Sequence, residues 1–107
     1  MRLTVADRKG LVEAARETFD GPWSLRLFGS RLDDQQRGGD IDLILLLPDA
    51  DNATRAMQAK ARFLVKAKAK VGDRRIDLVI GSAEQARTDP FLRQILPTAV
   101  ELGSGGG

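Results

Sequence analysis

The chain lacks cysteine, histidine and tyrosine, and these absences exclude several kinds of chemistry. Without cysteine there is no disulfide framework, and without cysteine and histidine there is no zinc site of the common types. A Ser-His-Asp triad or a Cys-His nucleophile system is equally excluded, as is acid–base chemistry by tyrosine. If the chain is an enzyme, its chemistry must come from carboxylates, hydroxyls, lysine or arginine. We expect a hard metal ion as the cofactor.

Long apolar runs are missing as well. The longest unbroken one is Leu43–Leu47, far short of the roughly 20 residues that a membrane-spanning helix needs. The N-terminus has no apolar stretch behind Arg2 and so does not read as a secretory signal. We therefore expect a cytoplasmic protein without membrane contact. Its 107 residues, 42% of them apolar, fit one domain with a small core.

Helix signals alternate with apolar runs along the chain. Thr4 and Asp7 predict the start of a first helix, which Gly21-Pro22 should end. A second, long helix is predicted over residues 53–71. Two short helices should start after Ser82 and Asp89. The predicted strands are Trp23–Phe28, Asp40–Leu47 and Arg75–Ile80.

Apolar positions predict which helix faces are buried and how the elements combine. For the long helix they indicate a stripe of Met57, Ala61, Leu64 and Val71, and for the last helix a face of Phe91, Ile95 and Leu96. Because both faces of the strand after Asp42 are apolar, that strand should be central. The order of elements indicates one α/β or α+β domain over residues 1–102, and residues 103–107 read as a flexible glycine-rich tail.

Three aspartates carry the strongest indication of chemistry. Alternate residues of a strand point to the same face, so Asp40 and Asp42 should project their carboxylates together at the start of a buried strand. Asp77 lies in the otherwise apolar strand that follows. Such carboxylates repel one another unless a cation lies between them, and Mg²⁺ or Mn²⁺ prefers these oxygen ligands. Each aspartate alone has an ordinary alternative, as a solvated strand end or an edge charge, but their combination predicts a metal site.

The loop between the first two strands is a candidate phosphate-binding segment. Gly29 lets the backbone come close to a ligand, and a helical turn after it would present free N–H groups to phosphate oxygens. Ser30 can donate its hydroxyl, and Arg31 and Arg37 of the same loop are expected to reach a triphosphate. The alternative is an ordinary Gly-Ser turn with solvated arginines.

The segment Leu27-Phe28-Gly29-Ser30-Arg31, followed after a short loop by Gly39-Asp40-Ile41-Asp42-Leu43, resembles the signature of the minimal nucleotidyltransferases. These belong to the DNA polymerase β superfamily. The resemblance implies that superfamily's α+β fold, a small mixed, twisted sheet packed with helices. It further implies transfer of AMP or another nucleotidyl group from an NTP, ATP foremost, to a hydroxyl.

The resemblance also implies roles for individual residues. Asp40, Asp42 and Asp77 would be the catalytic, metal-binding carboxylates. Asp40 and Asp42 would carry two Mg²⁺ ions, with Mn²⁺ as an alternative, and Asp77 would hold the ion beside the attacking hydroxyl and help take its proton. Gly29 and Ser30 would hold the β- and γ-phosphates.

A basic segment is the second unusual feature. Residues 55–75 carry a net charge of +7, whereas the rest of the chain carries −5. The segment reads either as a solvated helix face, whose lysine stems cover apolar surface, or as a docking face for an acidic partner or nucleic acid. A nucleic-acid-binding domain has the least support, because Phe63 is the sole aromatic residue among these cations.

The acceptor is expected on another protein. Few residues follow Asp77, and a transferase must hold its acceptor in line with the α-phosphate, so we expect a partner to complete the pocket. The resemblance points to a helical HEPN-domain protein, with this chain as the antitoxin that modifies it. The alternatives are a non-catalytic module that inhibits its partner, and a transferase for small molecules of the aminoglycoside type.

Overall fold

A computed structural model describes residues 3–29 and 40–106, in which four helices and one mixed four-stranded sheet form an α+β domain. The helices are α1 (Val5–Thr18), α2 (Ala50–Val71), α3 (Ala83–Thr88) and α4 (Pro90–Ile95), and the strands are β1 (Trp23–Phe28), β2 (Ile41–Leu47), β3 (Ile76–Ser82) and β4 (Val100–Gly105). A 3-10 turn (Leu96–Thr98) precedes β4. Within this part of the chain, no helix is both long and apolar enough to cross a membrane.

The strand order is β3-β2-β1-β4, which confirms β2 as a central strand. It pairs antiparallel with β1 and parallel with β3, and β4 runs antiparallel along the other side of β1. One face of the sheet packs against α1 and α2 through alternate residues such as Leu25, Leu43 and Leu78. The opposite face carries Asp42, Ile44 and their neighbours, and α4 packs there.

The helix starts follow the predicted capping signals. Thr4 and Asp7 form a reciprocal capping box at the start of α1, and Asp89 caps α4 with Pro90 in its first turn. Helix α2 begins earlier than predicted, because the Asp49 side chain accepts a hydrogen bond from the Asn52 N–H and thereby caps it. Pro97 lies in the 3-10 turn that ends the helical run after α4.

The predicted buried stripe of α2 is wrong. Met57 is 63% exposed, Ala61 is exposed, and Leu64 and Val71 are only partly buried. The buried face instead consists of Ala53, Ala56, Ala59, Phe63 and Ala67. Small alanine side chains let α2 approach its neighbours closely, while the ring of Phe63 packs 5.4 Å from that of Phe19 and fills the remaining space.

The apolar face of α4 also differs from the prediction. Leu92 is buried, whereas Phe91 is 48% exposed, and Ile95 and Leu96 are of intermediate exposure. The physical reason is that α4 lies on the sheet with Leu92 facing β3. A Cβ atom on Gly81 would lie 2.9 Å from Cδ1 of Leu92, so the leucine occupies the room that this glycine leaves on β3.

The expectation that residues 103–107 lie outside the fold is wrong for Gly103–Gly105. These residues form the second half of β4 and pair with Leu25, Ser24 and Trp23 of β1. A Cβ on Gly103 would lie 2.8 Å from Cγ2 of Val12, and one on Gly105 would lie 2.7 Å from the Trp23 ring. The strand can run this close to α1 and Trp23 because Gly103 and Gly105 carry no side chains. Gly107 lies outside the described residues.

Asp7 links α1 to the segment between α2 and β3. Its carboxylate lies 2.8 Å from the guanidinium of Arg74, and both side chains are mostly buried. Burial raises the pKa of Asp7, but the hydrogen bond from Arg74, the hydrogen bonds with Thr4 and the positive charge of Arg74 outweigh that effect and hold the pKa below its ordinary value.

We predict that Asp7 makes part of the stability dependent on acid pH. Since its pKa is lower in the folded than in the unfolded chain, its contribution is complete above the unfolded pKa and is lost as the pH falls through the folded value. Asp7→Asn should cost about 1 kcal/mol at neutral pH and flatten the acid limb of the stability curve. Urea unfolding from pH 7 to 3 measures both. An acid limb as steep as that of the unmodified chain would contradict the assignment.

Candidate active site

The three aspartates named from the sequence lie on the same face at the start of the parallel pair β2/β3. Asp42 of β2 pairs directly with Asp77 of β3, and Asp40, immediately before β2, shares its face by alternation. This face is opposite to the one that packs against α1 and α2, because Ile41, Leu43 and Ile76 point to the core. The strand register thus brings the carboxylates to neighbouring positions without burying them.

A cation of the chain itself lies between two of them. The Nε atom of Arg75 is 4.0 Å from Oδ2 of Asp40 and 3.8 Å from Oδ1 of Asp77. The arginine side chain is 73% exposed and the two aspartates are about half exposed. Ion pairs this exposed contribute about 0–1 kcal/mol. Arg75 therefore balances the charge of the carboxylates without fixing them rigidly.

The backbone positions of the carboxylates favour metal binding, whereas the arrangement of their side chains does not. Over residues 3–29 and 40–106, no three acidic side chains are gathered closely enough to hold a metal ion. The strand register nevertheless places Asp40, Asp42 and Asp77 at neighbouring positions of one sheet face. Carboxylates beside an exposed arginine can turn about their side-chain bonds at little cost, whereas the strand register holds Asp42 and Asp77 side by side. The donor set itself, carboxylate oxygens around a positive charge, fits Mg²⁺ or Mn²⁺.

Gly29 lies against Asp42 at the exit of β1. Its φ angle is +78°, a region that favours glycine, and a Cβ atom there would lie 2.9 Å from Oδ2 of Asp42. Glycine therefore lets the backbone turn out of β1 beside the carboxylate without strain, whereas a side chain here would oppose the positive φ angle and displace the Asp42 carboxylate. Ser30 and Arg31, the other predicted phosphate-binding residues, and Arg37 lie outside the described residues.

Two residues of this face were not singled out from the sequence. Arg75 is two positions before Asp77, so strand alternation would have placed it with the carboxylates. Phe28 pairs with Asp42, which puts an aromatic ring on the same face, beyond the aspartates. Finding Phe91 next to it required the packing of α4, for which the sequence holds no local signal.

The basic segment is divided among several environments. Lys66 and Lys70 of α2 lie 3.7 and 3.3 Å from the carboxylate oxygens of Glu17 on α1. Arg74 pairs with Asp7, and Arg75 belongs to the carboxylate face. Part of the +7 charge is therefore paired with acidic residues of the same chain.

Comparison with models of protein families, with curated proteins and with solved structures finds no match to this chain.

We predict that Gly29→Ala destabilises the protein by about 1–2 kcal/mol, since alanine resists the positive φ angle and its Cβ would press on Asp42. Gly21→Ala is the matched control: its φ angle is +75°, and its Cβ would meet Oδ1 of Asn52 at 3.1 Å. Urea denaturation should show losses of similar size for both variants. Only Gly29→Ala should also shift the backbone amide resonances of Asp42 and Asp77; unshifted resonances would contradict the contact.

Proposed function

We propose that this chain is a divalent-metal-dependent nucleotidyltransferase that moves AMP, or another NMP, from an NTP to a hydroxyl acceptor. The acceptor oxygen would bond to the α-phosphorus while the bond from that phosphorus to the α–β bridging oxygen breaks, and pyrophosphate would leave. One observation carries the proposal: Asp40, Asp42 and Asp77 share one sheet face at the start of the parallel pair β2/β3. Gly29 abuts Asp42 there, in agreement with the motif that resembles the minimal nucleotidyltransferases. The mixed four-stranded sheet is compatible with a polymerase β-like fold, and that finer assignment is part of the proposal.

The proposed roles follow from the chemistry of the side chains. Asp40, Asp42 and Asp77 would hold Mg²⁺, which when bound neutralises phosphate charge and makes a hydroxyl more acidic. The Asp77 carboxylate is a base half open to solvent and would accept the proton of the acceptor hydroxyl. Gly29 leaves the backbone open to a close approach by phosphate oxygens. Ser30 and Arg31 are proposed to contact the phosphates on the grounds of the sequence motif alone.

The acceptor is proposed to be a hydroxyl side chain of a helical, HEPN-type partner protein, with this chain acting as its antitoxin. The resemblance suggests this class of partner. The second candidate is a non-catalytic module that inhibits the partner by binding alone, and one observation favours it: no three acidic side chains of the described residues are gathered as a metal site. The two candidates differ in whether the partner changes mass.

We predict that Asp42→Asn abolishes nucleotidyl transfer and leaves the fold intact, because an amide is a much weaker ligand for Mg²⁺ than a carboxylate. The assay incubates chain, co-purified partner, ATP and Mg²⁺, and measures the intact mass of the partner. Asp51→Asn removes an exposed carboxylate in the first turn of α2, which follows the end of β2 opposite to Asp42, and should keep full activity. Full activity in Asp42→Asn would overturn the site. A partner of unchanged mass with the unmodified chain would leave inhibition by binding.

We also predict that Arg75→Gln tightens Mn²⁺ binding roughly five-fold, because it removes a positive charge about 4 Å from two ligands, worth about 1 kcal/mol even in water. Arg62→Gln is the control, since it changes the net charge equally on α2, behind the sheet. Calorimetric titration with Mn²⁺ alone measures the affinities without an activity assay. Equal affinities in the two variants would show that Arg75 does not compete with the metal.

A further inference from the structure

A cavity of about 230 Å³ lies between the end of α1 and the first half of α2. Its lining contains the buried Ala56 and Ala59 and the exposed Arg55 and Arg62 of α2, together with Thr18 of α1. Both helices pack on the core face of the sheet, whereas the carboxylates lie on the opposite face. The structure therefore offers a second concave surface, which the proposed function does not use.

Two guanidinium groups line this cavity. Nη2 of Arg55 donates a hydrogen bond of 2.8 Å to Oδ1 of Asn52, which positions the arginine and leaves its charge in place. Neither Arg55 nor Arg62 forms an ion pair with another described residue. Their spacing of seven residues puts them on one face of α2, about 10 Å apart along its axis. Asp20 is the one acidic side chain among the described residues of the lining, which therefore carries a net charge of +1.

The hydroxyl group of Thr18 is a buried donor that lacks a partner. The residue is 6% exposed, and no described residue forms a hydrogen bond with its Oγ1, although a threonine in a helix can donate to the carbonyl four residues earlier. Leaving a buried hydroxyl unsatisfied costs free energy. Threonine populates two χ1 rotamers in a helix, so a rotation about that bond can present the hydroxyl to a ligand. The cavity thus combines two cations with a hydroxyl that a ligand oxygen would satisfy.

We propose that this cavity binds a small molecule with two oxyanion groups, carboxylate or phosphate. A guanidinium group binds such oxygens through two parallel N–H···O bonds, and the long side chains of Arg55 and Arg62 can converge on the two charged ends of one ligand. Thr18 would donate its hydroxyl to a ligand oxygen. The volume suits a small metabolite, since pockets for drug-sized ligands are larger. None of the three aspartates of the candidate active site lines the cavity, so binding here needs neither Mg²⁺ nor a nucleotide.

The test measures the binding of succinate, inorganic pyrophosphate and the monoanion acetate at constant ionic strength, with EDTA to remove divalent metal. Calorimetric titration gives the affinities, and the backbone amide resonances of Thr18, Ala56 and Ala59 locate the site. The variants are Arg62→Gln and Thr18→Val, of which the second keeps the side-chain shape and removes the hydroxyl. Lys68→Gln is the control, because it removes the same charge from an exposed position of α2 outside the cavity. Urea unfolding confirms that each variant is folded.

We expect saturable binding of succinate, of pyrophosphate or of both, and roughly ten-fold weaker binding of acetate. Binding of succinate alone identifies a carboxylate ligand, and binding of pyrophosphate alone identifies a phosphorylated one. Arg62→Gln should weaken binding roughly ten-fold and Thr18→Val roughly five-fold, whereas Lys68→Gln should change it by less than about two-fold.

Three results would overturn the anion site, and each would leave the proposed function standing. The first is the absence of saturable binding by either dianion. The second is an affinity that Arg62→Gln leaves unchanged or that Lys68→Gln lowers equally, since attraction by net charge alone would then explain it. The third is a set of resonance shifts that spares Thr18, Ala56 and Ala59.

Discussion

The parallel register between β2 and β3 is the constraint on which the candidate site depends. Ile41 pairs with Ile76, Asp42 with Asp77 and Leu43 with Leu78, so the apolar rows face α1 and α2 and the acidic row faces away. A slip of one residue in β2 would turn Asp42 into the core, where an unpaired carboxylate is costly to bury. Burial of the leucines and isoleucines thereby fixes the carboxylates side by side. No direct attraction between the carboxylates is needed, and their mutual repulsion is the cost that the core offsets.

Local signals predicted the elements well and their buried faces less well. Capping residues such as Thr4 and Asp89 act within one turn, and the apolar run of β2 reports its own two-sided burial, so the sequence alone was enough for these features. The prediction of the buried face of α2 was wrong because alanine fits both exposed and buried positions. Which alanines are buried depends on the close approach of α1, which the sequence does not show. Strand β4 was not predicted, for a related reason. Its glycines have a low strand propensity, and they are required there because the side chains of Val12 and Trp23, distant in sequence, leave no room for a Cβ.

The residues of the candidate site show the same difference between local signals and contacts between distant elements. Strand alternation predicted that Asp40 and Asp42 share a face, and the structure agrees, adding Asp77 through the register that the sequence does not specify. Arg75 obeys the same alternation and could have been found by it. The aromatic pair could not, because the meeting of Phe28 and Phe91 depends on how Leu92 seats α4 against Gly81, a contact between elements whose order in sequence says nothing about their packing.

The basic residues of α2 and the carboxylates lie on opposite sides of the sheet, and this separates two parts of the proposed function. Helix α2 covers the core face, where Lys66 and Lys70 are already paired with Glu17, whereas the carboxylates open on the face of α4. A partner held by α2 alone would have the sheet between its docking surface and the carboxylates. A partner that supplies the acceptor hydroxyl must therefore reach the α4 face or pass around β3, which is an edge strand of the sheet. Arg75 stands at that edge with Asp77, so on this route an incoming acceptor meets the arginine and the Asp77 carboxylate together.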